Sequence, residues 1–216
     1  AHYGPPPGFD DSRYDAETRA TLGEFEARYG KLKRTEMTSE KVPLHHYMGP
    51  ARVINVQNRV GTTTQDTWPA SPRITVEDIE SYEKIYGSIK AGDVVLFHTG
   101  HTDTHFRRFE KDQPDLCVKG PLDGLSEGWP APTPEVINYL AGKGVKHVGI
   151  DAPDMGPVNA KASMMTHWAA VNQDMIFTEY LIGVGQLPPT GAFYIFLNPK
   201  VENNHGGPGR AIAILP

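Results

Sequence analysis

Runs of apolar residues bounded by turn residues divide most of the chain into alternating strands and helices. Continuous apolar runs are typical of strands covered on both faces, whereas apolar positions three and four apart with a capping residue in front predict helices. The predicted elements after residue 50 are a strand over 51–56, a helix over 74–89, a strand over 93–99, a helix from Thr133 to about 142, a strand over 146–152, a helix over 164–173, and strands over 193–199 and 210–215. This alternation predicts a single α/β domain, and its sheet should be mixed because no helix separates the last two strands.

The first 41 residues have a different pattern. Three consecutive prolines near the start cannot begin a regular element, because proline lacks an amide donor and fixes φ. Residues 15–30 predict a helix with only a thin apolar stripe. We therefore expect residues 1–41 to form a lid-like excursion and residues 42–216 to form the core.

Composition narrows the class of protein. The 216 residues carry a formal net charge of −5, which gives no electrostatic reason to expect nucleic acid or an anionic membrane as partner. No apolar run approaches the roughly 18 residues that would span a bilayer. The single cysteine, Cys117, excludes an internal disulfide framework and a Cys-rich metal site. One thiol fits a reducing cytoplasm, and a processed secreted chain remains the alternative.

Histidine is the most informative residue type for chemistry. The densest group follows the strand over 93–99 and consists of His98, His101, Asp103 and His105. One interpretation is a metal loop, since imidazole and carboxylate are common ligands of Zn and Mn. The other is the lining of a substrate crevice, which α/β proteins form at the carboxyl ends of strands. The spacing matches no metal motif, so we favour the crevice, with Phe106 and Trp168 either packing on a flat substrate or belonging to the core.

A second candidate pair is His167 with Glu179. Twelve residues of continuous helix would separate them by roughly 18 Å, too far for two ligands of one ion. A shared metal therefore requires the chain to leave the helix and fold back. The polar residues 172–174 offer such a break, and the following IFTEYL is β-prone. On physical grounds alone, a histidine near a helix start and a solvated glutamate are the favoured alternative.

Six segments in order resemble the cyclase-type metal-dependent hydrolases, the family of bacterial kynurenine formamidase and isatin hydrolase. They run from about Val42 to Ile214 and include VPLHHYMGPARVINV, AGDVVLFHTG and GVKHVGIDAPDMG. The family's diagnostic H-x-G-T-H-x-D-x-P-x-H motif does not occur in this sequence, although the opening Ala1-His2-Tyr3 is similar to the end of that motif. The resemblance implies the swivelling β/β/α fold, a mixed sheet flanked by helices, usually found in homo-oligomers.

The resemblance also implies an activity, namely metal-dependent hydrolysis of an amide, imide or lactone bond in a small cyclic or aromatic substrate. His167 and Glu179 match the family's late metal-site pair, with Zn or Mn as the ion, and His2 matches the histidine that transfers protons. Two ligands are fewer than a catalytic zinc usually takes, so we expect others from an N-terminal segment outside this sequence or from a second chain. The alternatives are a metal-dependent cyclase or lyase and a metal-free, non-catalytic subunit.

Overall fold

The computed structural model describes residues 12, 14–31, 38–106 and 115–216. Six strands form one sheet in the order β6-β5-β3-β1-β7-β8, and β2 pairs with β4 separately. The strands are β1 Met48–Asn55, β2 Arg73–Ile74, β3 Val94–His98, β4 Ala131–Pro132, β5 His147–Ile150, β6 Ile176–Thr178, β7 Phe193–Leu197 and β8 Arg210–Ile214. The helices are α1 Ala16–Tyr29, α2 Val76–Tyr86, α3 His101–His105, α4 Lys119–Leu122, α5 Pro134–Gly142 and α6 Ala160–Val171.

The six-stranded sheet is mixed, as the sequence predicts. Strands β1, β3, β5 and β6 are mutually parallel neighbours, whereas β7 runs antiparallel to β1 and β8 antiparallel to β7. The two antiparallel strands are the pair without an intervening helix. The predicted fold class, a mixed α/β sheet flanked by helices, is therefore confirmed.

Strand β3 is buried on both faces, which explains its continuous apolar sequence. Val95 and Phe97 belong to the larger core beneath α2, α5 and α6, while Val94 and Leu96 belong to a smaller core on the opposite face. Successive side chains of a strand point to opposite faces, so each face needs its own apolar set. This covered sheet fixes the carboxyl ends of β3, β5 and β6 at one edge.

Capping residues fix the starts of two helices, and one start differs from its prediction. Helix α2 begins at Val76 with Thr75 as its N-cap, and the Thr75 amide donates to the Asp78 carboxylate at 2.8 Å in a capping box; the helix ends at Tyr86, earlier than the predicted residue 89. Helix α6 begins at Ala160 rather than 164, because the Asn159 side chain accepts the Ala162 amide at 3.0 Å. The earlier start adds a full turn before His167.

Helix α1 lies on α6, and one of its contacts there is an aromatic pair. Phe25 is the buried residue of α1, and its ring meets Trp168 edge-on at 5.8 Å. The Trp168 indole N–H donates to the Gly30 carbonyl at 3.0 Å. The predicted helix over 15–30 is thus present as an outer layer, and its action as a lid remains a prediction. No helix among the described segments has the length and apolar character needed to cross a bilayer.

Candidate metal centre

Three side chains from three separate segments meet near the carboxyl ends of β5 and β6. Asp154 lies in the loop after β5, His167 lies in α6, and Glu179 directly follows β6. One donor atom of each lies within 4.8 Å of the others, and this is the one such group of three among the described residues. We call these three residues the triad.

The chain reversal that a shared site requires is present between His167 and Glu179. Helix α6 ends at Val171, Asp174 takes a positive φ of 52°, and β6 starts at Ile176. Aspartate tolerates the left-handed region better than most residues, which suits it to this turn. Parallel pairing of β6 with β5 then places Glu179 beside the loop that carries Asp154. The two carboxylates of the triad therefore come together through the sheet.

The His167 ring is fixed with one nitrogen directed at the two carboxylates. Its Nδ1–H donates to the Ser163 carbonyl at 3.0 Å, one helical turn earlier. Its Nε2 lies 3.6 Å from Asp154 Oδ1 and 3.5 Å from Glu179 Oε1. A backbone carbonyl on one ring nitrogen is the usual way to orient a metal-binding histidine. The ring also rests edge-on against the buried Phe177 at 5.3 Å.

Each carboxylate of the triad is held by neighbouring donors. Asp154 accepts the Gly156 amide at 2.7 Å on Oδ1 and the Ser163 hydroxyl at 3.1 Å on Oδ2. Glu179 accepts the Met155 amide at 2.9 Å. These bonds limit the rotation of both side chains. The triad is therefore organised by its own chain before any ligand arrives.

The charges of the triad favour a cation at its centre. Burial raises the pKa of Asp154, and the charge of His167 only partly opposes this. Burial lowers the pKa of His167, but the hydrogen bond with Glu179 and the charge of Asp154 outweigh it, so the net shift is upward. Both pKa shifts reflect two carboxylates that lie close together with little contact with water. A proton on His167 offsets part of the negative charge of these carboxylates, and a divalent ion would offset more of it.

The donor set fits a divalent metal ion. Nitrogen and oxygen ligands stand about 2.0–2.2 Å from zinc, so two ligands of one ion lie roughly 3–4 Å apart. The separations of 3.5 and 3.6 Å around His167 Nε2 fall in this range. One imidazole with two carboxylates suits Zn or Mn. Three protein ligands also leave a position for water or substrate.

Sequence reasoning found two members of the triad and missed Asp154. The signal was present but weak, since Asp154 follows a buried strand by four residues, as crevice residues of α/β proteins do. Asp151 has the same signal and lies nearer to the strand. Nothing in the spacing distinguishes the carboxylate that joins His167 from the one that does not.

His98 lies at the end of β3 and is bonded to the other aspartate. Its Nδ1 lies 2.9 Å from a carboxylate oxygen of the fully buried Asp151. Asp151 also accepts the amides of Thr99 and Gly100 at 2.6 and 2.9 Å. A methyl group on Gly185 would stand 2.7 Å from the His98 ring, so that loop packs directly on it. His98 thus joins the end of β3 to two loops, and its contact with substrate stays a prediction.

The residues after His98 form helix α3 and have local partners. His101 Nε2 lies 2.8 Å from the Cys117 carbonyl, and burial lowers the pKa of His101. Both oxygens of Asp103 accept the Gly183 amide at 3.0 Å. The ring of His105 stands 4.8 Å from that of His101. Neither these three residues nor His98 is part of the triad, and a role for His101 and His105 in lining the crevice stays a prediction.

Three further predicted site residues have different positions. Phe106 is exposed at the end of α3, where it borders residues 107–114, which lie outside the described part. Trp168 is buried beneath α1 and donates to Gly30, so its ring faces α1. His2 lies outside the described residues. Substrate contact by Phe106 and Trp168 and proton transfer by His2 remain predictions.

Tyr180, which sequence reasoning did not single out, directly follows Glu179. Its φ of 57° lies in the left-handed region, and its side chain is 44% exposed. Burial raises the pKa of its phenol, and the carboxylates of Asp115, Glu179 and Asp154 add to the shift. The phenol is therefore neutral at physiological pH.

We expect Ser163→Ala to weaken metal binding roughly 10- to 100-fold, the usual cost of losing a partner of a metal ligand. The variant removes the hydroxyl that donates to Asp154 but keeps the carbonyl that orients His167. Calorimetric titration with Zn²⁺ or Mn²⁺ measures the change. Ser39→Ala is the matched control, because its hydroxyl donates to the distant Val201 carbonyl. Equal affinity in both variants would show that the Asp154 orientation does not depend on Ser163.

Comparison with known proteins identifies the family. The family model described as putative cyclase matches residues 15–157, more than half of the chain. An isatin hydrolase from Roseibium aggregatum is 27% identical over 148 residues, which are 66% of this chain and 52% of that protein. A kynurenine formamidase from Salinibacter ruber is 25% identical over 181 residues, which are 84% of this chain and 69% of that protein. The chain thus spans about half to two thirds of the length of these relatives.

Solved structures show the same fold. Isatin hydrolase A from Ralstonia solanacearum superposes with a TM-score of 0.63 at 22% identity, covering 83% of this chain and 64% of that one. An isatin hydrolase bound to the product analogue thioisatinate gives a TM-score of 0.62 at 21% identity, covering 83% of this chain and 64% of that one. With the family match over residues 15–157, these findings establish that the chain belongs to the putative cyclase family.

Proposed function

We propose that this chain acts as a metal-dependent hydrolase that cleaves an amide, imide or lactone bond in a small cyclic or aromatic substrate. The observation that carries the proposal is the convergence of Asp154, His167 and Glu179 on one point. The names of the two relatives, isatin hydrolase and kynurenine formamidase, support cleavage of C–N bonds. Zn and Mn are the proposed ions, because both accept this mixture of nitrogen and oxygen ligands.

The residues of the triad have separate tasks in this proposal. His167 supplies the nitrogen ligand through Nε2, and Asp154 and Glu179 supply negative charge that neutralises the ion. When bound, the ion supplies Lewis-acid polarisation of the substrate carbonyl and lowers the pKa of water. Ser163 holds Asp154 and His167 in register for binding. By the family resemblance, His2 would transfer a proton to the leaving group.

The third ligand bears on the expected partners of the chain. With His167 and Glu179 alone, a further metal ligand would have to come from another segment or chain. With Asp154 as a third ligand, the chain itself offers the three protein ligands that a catalytic zinc site usually has. The external segment and the homo-oligomer remain predictions. Binding of one ion per chain with sub-micromolar affinity would remove the need for outside ligands.

The test combines metal analysis with two amide substrates. The purified chain is stripped with a chelator, reloaded with Zn²⁺ or Mn²⁺, and assayed for ring opening of isatin and for deformylation of N-formylkynurenine. We expect activity on at least one substrate that disappears on chelation and returns with metal. Stoichiometric metal without cleavage of either amide would contradict the proposal and favour the non-catalytic subunit. Cleavage that survives complete metal removal would contradict the proposed dependence of the reaction on a metal ion.

A further inference from the structure

We propose that a cavity at the amino ends of β3 and β5 is a second binding site, which takes a small organic carboxylate. The cavity has a volume of about 390 Å³, which falls within the range of roughly 300–1,000 Å³ that small-molecule sites usually occupy. Its walls come from the turn before β1, the turn before β3 and the segment before β5. We call it the amino-edge cavity. This inference goes beyond the proposed function and does not depend on it.

The amino-edge cavity lies at the other edge of the sheet from the triad. Val94 and His147 are the first residues of β3 and β5, they pair with each other, and both line the cavity. Asp154 of the triad instead lies beyond the last residue of β5. The four residues of β5 span roughly 13 Å at about 3.3 Å per residue, so a ligand the size of a single ring cannot contact both places. A ligand in the cavity is therefore not held by the triad.

The cavity wall contains the partly buried Lys146, whose ammonium group is not neutralised by a carboxylate. Its Nζ donates to the Gln173 carbonyl at 2.8 Å, which uses one of its three N–H groups. Within the described segments it forms no ion pair. Asp93 also lines the cavity, but its Oδ2 already accepts Arg52 Nε at 2.8 Å and the Lys90 amide at 3.0 Å. Lys146 therefore keeps charged donors for a ligand.

Two neighbouring imidazoles belong to the same wall. The rings of His45 and His46 meet edge-on with their centroids 4.6 Å apart, and both residues line the cavity. The buried Nδ1 of His46 has no hydrogen-bond partner among the described residues. Burial and the positive charges of His45 and Lys146 lower the pKa of His46, and Asp174 opposes this shift only in part. The surroundings of His46 thus disfavour a further positive charge and favour an anion.

The rest of the lining fits an organic carboxylate better than an inorganic anion. Met48, Ala91 and Val94 contribute apolar side chains. His147 contributes no free donor, because both of its nitrogens are already hydrogen-bonded. A volume of about 390 Å³ also exceeds what an inorganic anion fills. A ligand with an anionic head for Lys146 and an apolar ring for the remaining wall matches both parts of the cavity.

Calorimetric titration of the metal-loaded chain with benzoate tests this assignment. Benzamide has the same shape without the charge, and inorganic phosphate has the charge without the ring. Lys146→Gln removes the ammonium group but keeps a donor for the Gln173 carbonyl, and His46→Phe keeps a ring but removes its nitrogens. Lys119→Gln is the matched control, because Lys119 lies on α4 and is paired with Asp123. Each titration is repeated after chelation of the metal, and kcat/KM for isatin is measured for each variant.

We expect benzoate to bind with a Kd of about 1 mM or below, and benzamide and phosphate to bind at least about tenfold more weakly. Lys146→Gln should weaken benzoate binding at least about tenfold, the usual cost of losing a charge-assisted hydrogen bond. His46→Phe should weaken it about three- to tenfold without lowering the melting temperature, because the buried Nδ1 has no partner to lose. Lys119→Gln and chelation should leave the affinity unchanged, and all three variants should keep the wild-type kcat/KM.

The contrary outcomes are distinct from those of the proposed function. Absence of benzoate binding would overturn the inference, and so would a benzoate affinity that is equal in Lys146→Gln and the wild type or is lost on chelation. Equal binding of benzamide would show that the cavity does not select a negative charge, and tighter binding of phosphate would exclude an organic carboxylate as its ligand. Failure to open isatin, with benzoate binding still dependent on Lys146, would contradict the proposed function and leave this inference standing.

Discussion

Replacing His167 with alanine is expected to lower the affinity for Zn²⁺ or Mn²⁺ by at least about 100-fold and to abolish amide cleavage with it. Loss of an indirect partner of a metal ligand already costs roughly 10- to 100-fold, so loss of the ligand itself should cost more. His167 Nε2 is also the atom that lies near both carboxylates. Without it, Asp154 and Glu179 would face each other with no intervening positive charge.

The matched control is His105→Ala, which removes an imidazole from α3 instead of the triad. This control distinguishes metal binding at the triad from the other interpretation of the sequence, a metal loop between His98 and His105. Metal content measured by elemental analysis should fall in His167→Ala and Glu179→Ala and stay at the wild-type level in His105→Ala. Full occupancy in both triad variants, or loss in the α3 variant alone, would place the ion elsewhere.

Acidification from pH 6.5 to 4.5 is expected to cost the protein about 2–3 kcal/mol of unfolding free energy through His147 alone. His147 is fully buried at the start of β5, between the His46 carbonyl at 3.1 Å and the Thr178 hydroxyl at 2.6 Å. This burial lowers the pKa of His147 to about 3. Nε2 accepts the Thr178 hydroxyl when Nδ1 donates to the carbonyl, so protonation would force that bond to reverse, with the hydroxyl oxygen accepting.

The sign of this effect follows from proton binding in the two states. Below the ordinary pKa of about 6.5 the unfolded chain binds a proton at His147, whereas the folded chain binds it only near pH 3. The contribution of the neutral His147 to the free energy of unfolding is therefore fully present above pH 6.5 and declines as the pH falls towards 3. His167, whose pKa is raised, acts in the opposite sense, but its contribution changes only above its ordinary pKa. Between pH 6.5 and 4.5 the stability contribution of His167 therefore stays nearly constant.

Urea unfolding at several pH values measures the effect, with His147→Gln as the variant that cannot titrate. The variant should be less stable at pH 7, because one of two buried hydrogen bonds is lost. The difference in unfolding free energy between the variant and the wild type should shrink as the pH falls, because only the wild type loses stability through His147. Parallel curves for the two proteins between pH 7 and 4.5 would show that His147 does not control acid stability.

Much of the fold could be predicted from the sequence, because local periodicity reports burial. The continuous apolar runs of β3 and β5 predicted covered strands, and the absence of a helix between β7 and β8 predicted a mixed sheet. Helix starts were less predictable. Thr75 and Asn159 begin α2 and α6 as N-caps, and the sequence places other residues that could cap a helix close to them.

The sequence by itself determined the mixed sheet and showed that a break after α6 was possible, while the pairing of His167 with Glu179 came from the family resemblance. Only the tertiary structure decided which aspartate joins them. Asp151 and Asp154 follow the same strand, yet Asp151 bonds His98 and the amides after β3, while Asp154 turns to α6. Their directions depend on which strand lies beside β5 and on where α6 packs. Those are long-range contacts, which leave no periodic trace in the local sequence.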